Sequence, residues 1–171
     1  MKWSSSVLET TPRRWQELAV SLPVELLSLS PAPGEWSAVQ CLLHLIDTER
    51  EVFPRRVRCF LAGQDFPAFN PEAEGSGGSS LSPQDLAGEF ARLRQASLEL
   101  LGQVQLADLA RTARHQELGL VTLEQMLHEW AGHDLNHTVQ AEAALMQPFI
   151  HGCGPWQIYF TSQCIDPDGK G

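Results

Sequence analysis

Apolar residues recur at helical spacing along most of this chain, and proline, glycine and capping residues cut the pattern into four segments. The third shows it most cleanly. Leu86, Phe90, Leu93, Ser97, Leu100, Leu101 and Val104 form one stripe behind Ser82-Pro83, with Asp85 in the first turn. The first segment starts at Thr11-Pro12, an N-cap followed by proline at the first helical position, and carries Trp15, Leu18, Ala19 and Leu22. Pro23 breaks or restarts it, leaving a short helical turn through Leu29 ahead of a loop from Ser30 to Gly34. The second segment opens at Ser37, with Gln40 three residues on as a capping box, and its stripe reaches Leu61 before Gly63 closes it. Pro54 predicts a kink or an early end near Phe53. The fourth opens on another capping box, Thr122 with Gln125, and runs to about Met146, ahead of Pro148. Residues 64–80 and 105–121 read as loops, and a short last helix is expected over roughly Trp156 to Gln163. β-branched clusters and hairpin signals are few. The expectation is an all-α, four-helix up-and-down bundle with a short extra C-terminal helix, in one domain spanning residues 1–171.

Charge narrows the function. Lys and Arg number 12 against 21 Asp and Glu, a formal net charge of −9. That balance argues against a protein built to grip nucleic-acid phosphates and against a polybasic membrane-surface binder. No apolar run approaches the length of a membrane helix, and Met1 to Thr11 lacks the apolar core of a signal peptide, so a cytoplasmic location is expected. Cys41, Cys59, Cys153 and Cys164 form no CxxC pair and read as reduced thiols. No nucleophile elbow supports Ser-His-Asp catalysis, and Gly75-Ser76-Gly77-Gly78 lacks the lysine and helix of a phosphate loop.

Of six histidines, two stand out. His133 and His137 are four apart on the fourth segment, on the face that also carries Leu123, Met126, Trp130, Ala141 and Ala144. Imidazoles inside an apolar stripe need a partner. Either a divalent metal takes both, or both are core histidines hydrogen-bonded to neighbours. His44 is the candidate third ligand, although it shares the polar side of the second segment with Gln40, Asp47 and Glu51. That side faces solvent, or it faces a polar cavity with Asp47 or Glu51 accepting the ring N–H. In an up-and-down bundle the second and fourth helices run the same way, and His44 then misses the depth of His133 and His137 by roughly 6–12 Å, a gap that a stagger of the helix starts absorbs. His128 falls on the opposite face, His115 lies in a loop able to cover a pocket, and His151 with Cys153 is a weak metal pair. Asp134 either braces a ligand or caps a polar rim.

Two motifs carry a resemblance. Gly34-Glu35-Trp36-Ser37 with His44-Leu45-Ile46-Asp47-Thr48-Glu49, and His115-Gln116-Glu117-Leu118-Gly119 with Thr122-Leu123 and His133-Asp134-Leu135-Asn136-His137, resemble the signatures of the DinB/YfiT-like family. Their order and spacing match from about Thr11 to Phe160. The resemblance implies a four-helix bundle binding a metal through three histidines, which here are His44, His133 and His137, and it implies homodimers. The family name refers to induction by DNA damage, which is regulation and not DNA binding. Characterised relatives include transferases and isomerases that use low-molecular-weight thiols such as mycothiol or bacillithiol, and a related domain supplies iron-binding histidines in ergothioneine biosynthesis. Gln40 departs from the acidic residue many members carry there, and Cys41 follows it.

A metal held by three neutral imidazoles keeps a coordination position open and lowers the pKa of a bound thiol or water. The expected activity is a metal-dependent transfer of a small thiol to a small electrophile, with Zn, Ni or Fe(II) as the ion. Metal-assisted hydrolysis is the second reading, weakened by the lack of a clear general base in motif position. A metal-binding protein without catalysis is the third.

Overall fold

The computed structural model describes residues 2–66 and 80–165. The first helix, α1, spans Lys2–Ser21, nine residues ahead of the expected start at Thr11, and Pro12 lies inside it. An internal proline has no N–H and leaves the carbonyl four residues back without its helical donor. That carbonyl belongs to Leu8, and Arg94 Nη1 donates to it at 3.0 Å. A tertiary contact thus lets α1 run through Pro12. The short α2, Val24–Leu27, restarts after Pro23 as expected.

Helix α3, Ala38–Glu51, begins at the Ser37–Gln40 capping box, with both reciprocal bonds formed. The chain breaks at Val52, and α4 runs Phe53–Ala62 with Pro54 in its first turn, where the missing N–H is harmless. Gly63 ends it at φ +67°, the left-handed conformation that glycine adopts without strain. Helix α5, Pro83–Leu101, is capped by the Ser82 side chain. Most of the expected 64–80 loop, residues 67–79, lies outside the described residues.

Residues 105–121 are not a plain loop. A 3-10 turn at Leu106–Ala110 leads into β1, Thr112–His115, which pairs antiparallel with β2, Gly119–Thr122. The turn reverses at Gly119, φ +77°. Strands of four residues are too short for a period-two pattern to stand out. Helix α6 then runs Leu123–Gly152 from the Thr122–Gln125 capping box and passes through Pro148 instead of ending near Met146. Gln147 ties the tail to this end of α6. Its amide donates to the Ala143 and Gln163 carbonyls and accepts from the Ile165 N–H. The last helical stretch is a 3-10 helix, Gly154–Phe160, shifted from the expected Trp156 to Gln163.

Helix α1 packs on α5 and α6, and α3 packs on the same pair, closing a four-helix bundle. Two clusters fill it. One gathers Trp15, Leu42, Phe90 and Ala141; the other gathers Phe53, Phe60, Leu123 and Trp130. No helix among the described residues is long and apolar enough to cross a membrane. All four cysteines are free, and burial pushes the Cys41 thiol up to about 12, which keeps it protonated.

Candidate metal centre

His44 on α3 and His133 and His137 on α6 converge, their ligand atoms all within 4.8 Å of one another. The depth mismatch does not arise, because α3 and α6 run in opposite directions and not the same way, as the expected up-and-down order would have them. His44 meets His133 and His137, while Phe53, further along the chain, stacks on Trp130 at 4.9 Å. On α3, His44 and Thr48 therefore face a cavity, while Gln40 and Glu51 on the polar side are exposed.

His44 Nε2 and His133 Nε2 lie 3.1 Å apart. Two imidazole nitrogens about 2.0–2.1 Å from a tetrahedral ion sit about 3.3 Å from each other, so the pair already has the spacing of two ligands. His137 is held by Gln140, whose Oε1 lies 2.9 Å from Nδ1. Nδ1–H donating to that oxygen leaves the Nε2 lone pair free for an ion. His133 Nδ1 is buried with no hydrogen-bond partner, so bonds within the cluster do not satisfy this ring. Donor type and the spacing of the two Nε2 atoms fit a divalent cation.

Burial holds the three rings neutral, the form that ligates metal. It pulls His44 down to about 4 and His133 to about 3, and repulsion from the neighbouring imidazoles adds to both shifts. Burial lowers His137 as well, against the support of Gln140. Aromatic rings frame the cluster. Trp36 stacks on His137 at 5.6 Å, and Phe53 meets His133 edge-on at 5.2 Å.

The cluster opens into a cavity of about 700 Å³, whose walls include Phe66, His115, Met126 and Glu129. His115 covers this pocket as expected, from β1 and not from an irregular loop. Glu129, one turn before His133 on α6, was not singled out, although the four-residue spacing places it on the same face. Burial raises its carboxyl pKa, which suits proton transfer.

The acidic neighbours behave differently from the expectation. Asp134 neither braces a ligand nor caps a rim. It is fully buried and bonds Arg94 at 2.7 and 3.0 Å. Glu51 pairs with Arg55 on the surface. His128 and His151 are exposed, and among the described residues only the three-histidine cluster has the makings of a metal site.

The family model of the DinB superfamily matches residues 7–141. The chain belongs to the DinB superfamily. Among solved structures, this DinB chain is similar to YfiT from Bacillus subtilis, described as a probable metal-dependent hydrolase with an unusual four-helix bundle topology. The two share 20% identity and superpose with a TM-score of 0.70, covering 84% of this chain and 83% of YfiT, a likeness of fold. None of the curated proteins matches in sequence. Within the DinB fold, the helices bring two histidines from α6 and one from α3 to the wall of a cavity.

Proposed function

We propose that the protein is a metal-dependent enzyme that transfers a low-molecular-weight thiol to a small electrophile, with His44, His133 and His137 as the ligands of a divalent ion. The observation that carries this reading is the convergence of three neutral imidazoles at the edge of a cavity of about 700 Å³. That volume lies within the range of small-molecule sites and accommodates two small reactants. A divalent ion on three neutral ligands supplies Lewis acidity and favours the thiolate of a thiol brought to it. The chain's own residues do the rest. Phe53, Phe66 and Met126 exclude water and place the reactants, and Glu129 is positioned in the same cavity to take the thiol proton. Sulfur forms its bond to the electrophilic carbon, and the leaving group departs with the displaced electron pair.

Protein loaded with zinc, nickel or iron(II) is expected to conjugate small thiols to electrophiles, and chelator-treated protein is expected to lose that rate. Equal rates with and without chelator would overturn the reading. Hydrolysis is a second reading, favoured by Glu129, a cavity-lining carboxylate able to activate water. Metal-dependent cleavage of esters or amides with no thiol conjugation would select it. Stoichiometric metal with neither reaction would identify a non-catalytic metal-binding protein.

A further inference from the structure

The cavity has a second polar wall that the histidine cluster does not use. Arg56 on α4 and His115 at the end of β1 both line it. Both pack on one ring: the Arg56 guanidinium lies 5.2 Å from the Phe66 centroid, and His115 meets Phe66 edge-on at 5.8 Å. Phe66 is itself fixed to the hairpin by a parallel bridge to His115 and a bond from its N–H to the Arg114 carbonyl. One aromatic ring thus holds a cation and an imidazole side by side.

The tautomer of His115 is set by the turn that follows it. Its Nδ1 accepts from the backbone N–H groups of Glu117 and Leu118, at 3.2 and 3.3 Å. A nitrogen that accepts carries no proton, so Nε2 bears the hydrogen and is a donor. Arg56 brings five further N–H donors. Among the described residues its ion pair in the cavity is with Glu129, at 4.0 Å, beyond hydrogen-bond reach, so this contact does not use up the guanidinium. Burial weighs on the Arg56 charge more than Glu129 supports it. The side chain is only 13% exposed, an arrangement in which a closer anion would be strongly held.

We infer that Arg56 and His115 form a subsite for a carboxylate carried by a substrate whose reacting group lies at the histidine cluster. This inference rests on the proposed reading of the cavity as a substrate site. A planar fork plus one N–H suits the two oxygens of a carboxylate. Leu118, Leu120 and Val121 line the same wall and keep the surroundings apolar, which strengthens charge-assisted bonds. The carboxylate can belong to the thiol or to the electrophile, and two matched probe pairs separate these sources.

The test is calorimetric titration of the zinc-loaded protein with 3-mercaptopropionate against 3-mercaptopropionamide, and with acrylate against acrylamide. In at least one pair the acid is expected to bind about tenfold or more tightly than the amide. The pair that shows the preference tells which substrate bears the carboxylate. Arg56→Met is expected to remove the preference, Arg56→Lys to restore part of it, and His115→Phe to reduce it. Equal affinities for acid and amide in both pairs would overturn the subsite, and this comparison in the unmutated protein does not depend on any variant folding. An undiminished preference in folded Arg56→Met would overturn it too. Inorganic phosphate that binds through Arg56 more tightly than either acid would overturn the carboxylate assignment. Propionate against propionamide on metal-free protein separates the two levels. An acid preference there without any thiol conjugation by loaded protein overturns the proposed reaction and leaves the subsite standing. Conjugation without acid preference overturns the subsite alone.

Discussion

Arg94 on α5 bonds Asp134 on α6 through two hydrogen bonds, 2.7 and 3.0 Å long, and neither side chain is more than 1% exposed. The same guanidinium holds Glu49 on α3 at 2.9 Å through two nitrogens and donates to the Leu8 carbonyl on α1. One residue therefore links all four helices of the bundle. Burial opposes the Arg94 charge, but Asp134 and Glu49 more than offset it, so the guanidinium stays charged. Two of its partners lie near the clustered histidines in sequence: Asp134 follows His133, and Glu49 lies five residues past His44. The network sets the α3–α6 spacing on which the three-histidine cluster depends.

Replacing Arg94 with Met should therefore destabilise the fold severely. It strands two buried carboxylates and frees the Leu8 carbonyl, and breaking a buried pair from one side costs about 3–5 kcal/mol. Glu49→Gln leaves one guanidinium facing one carboxylate and should cost less. Urea unfolding of both variants measures this, and a loss below about 1 kcal/mol for Arg94→Met would contradict the role assigned to the network.

Features written in local side-chain-to-backbone bonds were legible in the sequence. The Ser37–Gln40 and Thr122–Gln125 boxes start α3 and α6 where they were expected. Pro12 and Pro148 misled because they were read as helix boundaries. At Pro12 the lost bond is replaced by Arg94, which lies 82 residues away and has no local signature. Periodicity also placed His133 and His137 on one inward face, but it could not tell whether the stripe holding His44 met water or a polar cavity. Only the path of α3 against α6 decides that. Arg94 and Glu49 look like solvent-facing charges on helical stripes, so nothing short of their packing reveals the network.

The pH dependence of the metal-free protein follows from the neutral cluster. His44 and His133 titrate near 6.5 when unfolded and near 4 and 3 when folded, while His137 is lowered as well. Between those values the unfolded chain binds more protons than the folded one, so stability rises with pH. These groups contribute fully above about 6.5, and their contribution is lost as pH falls toward 4 and then 3. Thermal melts of apo-protein from pH 8 to pH 4 should show a falling midpoint below pH 6.5, and His44→Gln should flatten the slope. A midpoint unchanged over that range would count against buried neutral imidazoles.

Metal binding should depend on each of the three histidines. Purified protein is expected to take up one divalent ion per chain and to gain about 2.7 kcal/mol of stability at a free metal concentration of a hundred times Kd. His133→Ala should lose both the metal, measured by elemental analysis, and the stabilisation. His128→Ala, on the exposed face of α6, should lose neither. Unchanged metal content in His133→Ala would show that the cluster is not the site.

Gln140 provides the sharpest test of how the cluster is oriented. It is the residue that bonds a free ring nitrogen of the site, at His137 Nδ1. A neighbour of this kind fixes the tautomer and aims the lone pair of the other nitrogen, and its loss typically weakens metal binding about 10–100-fold. Gln140→Leu keeps the approximate volume and removes the acceptor. It should weaken zinc affinity by about that factor while leaving the unfolding free energy of the metal-free protein within about 1 kcal/mol of the parent, because one bond at a half-buried position is lost. Competition with a chromogenic chelator measures the affinity, and urea unfolding measures the stability. Wild-type affinity in Gln140→Leu would mean that Nδ1 needs no partner and that His137 binds through a geometry other than the one its hydrogen bond sets.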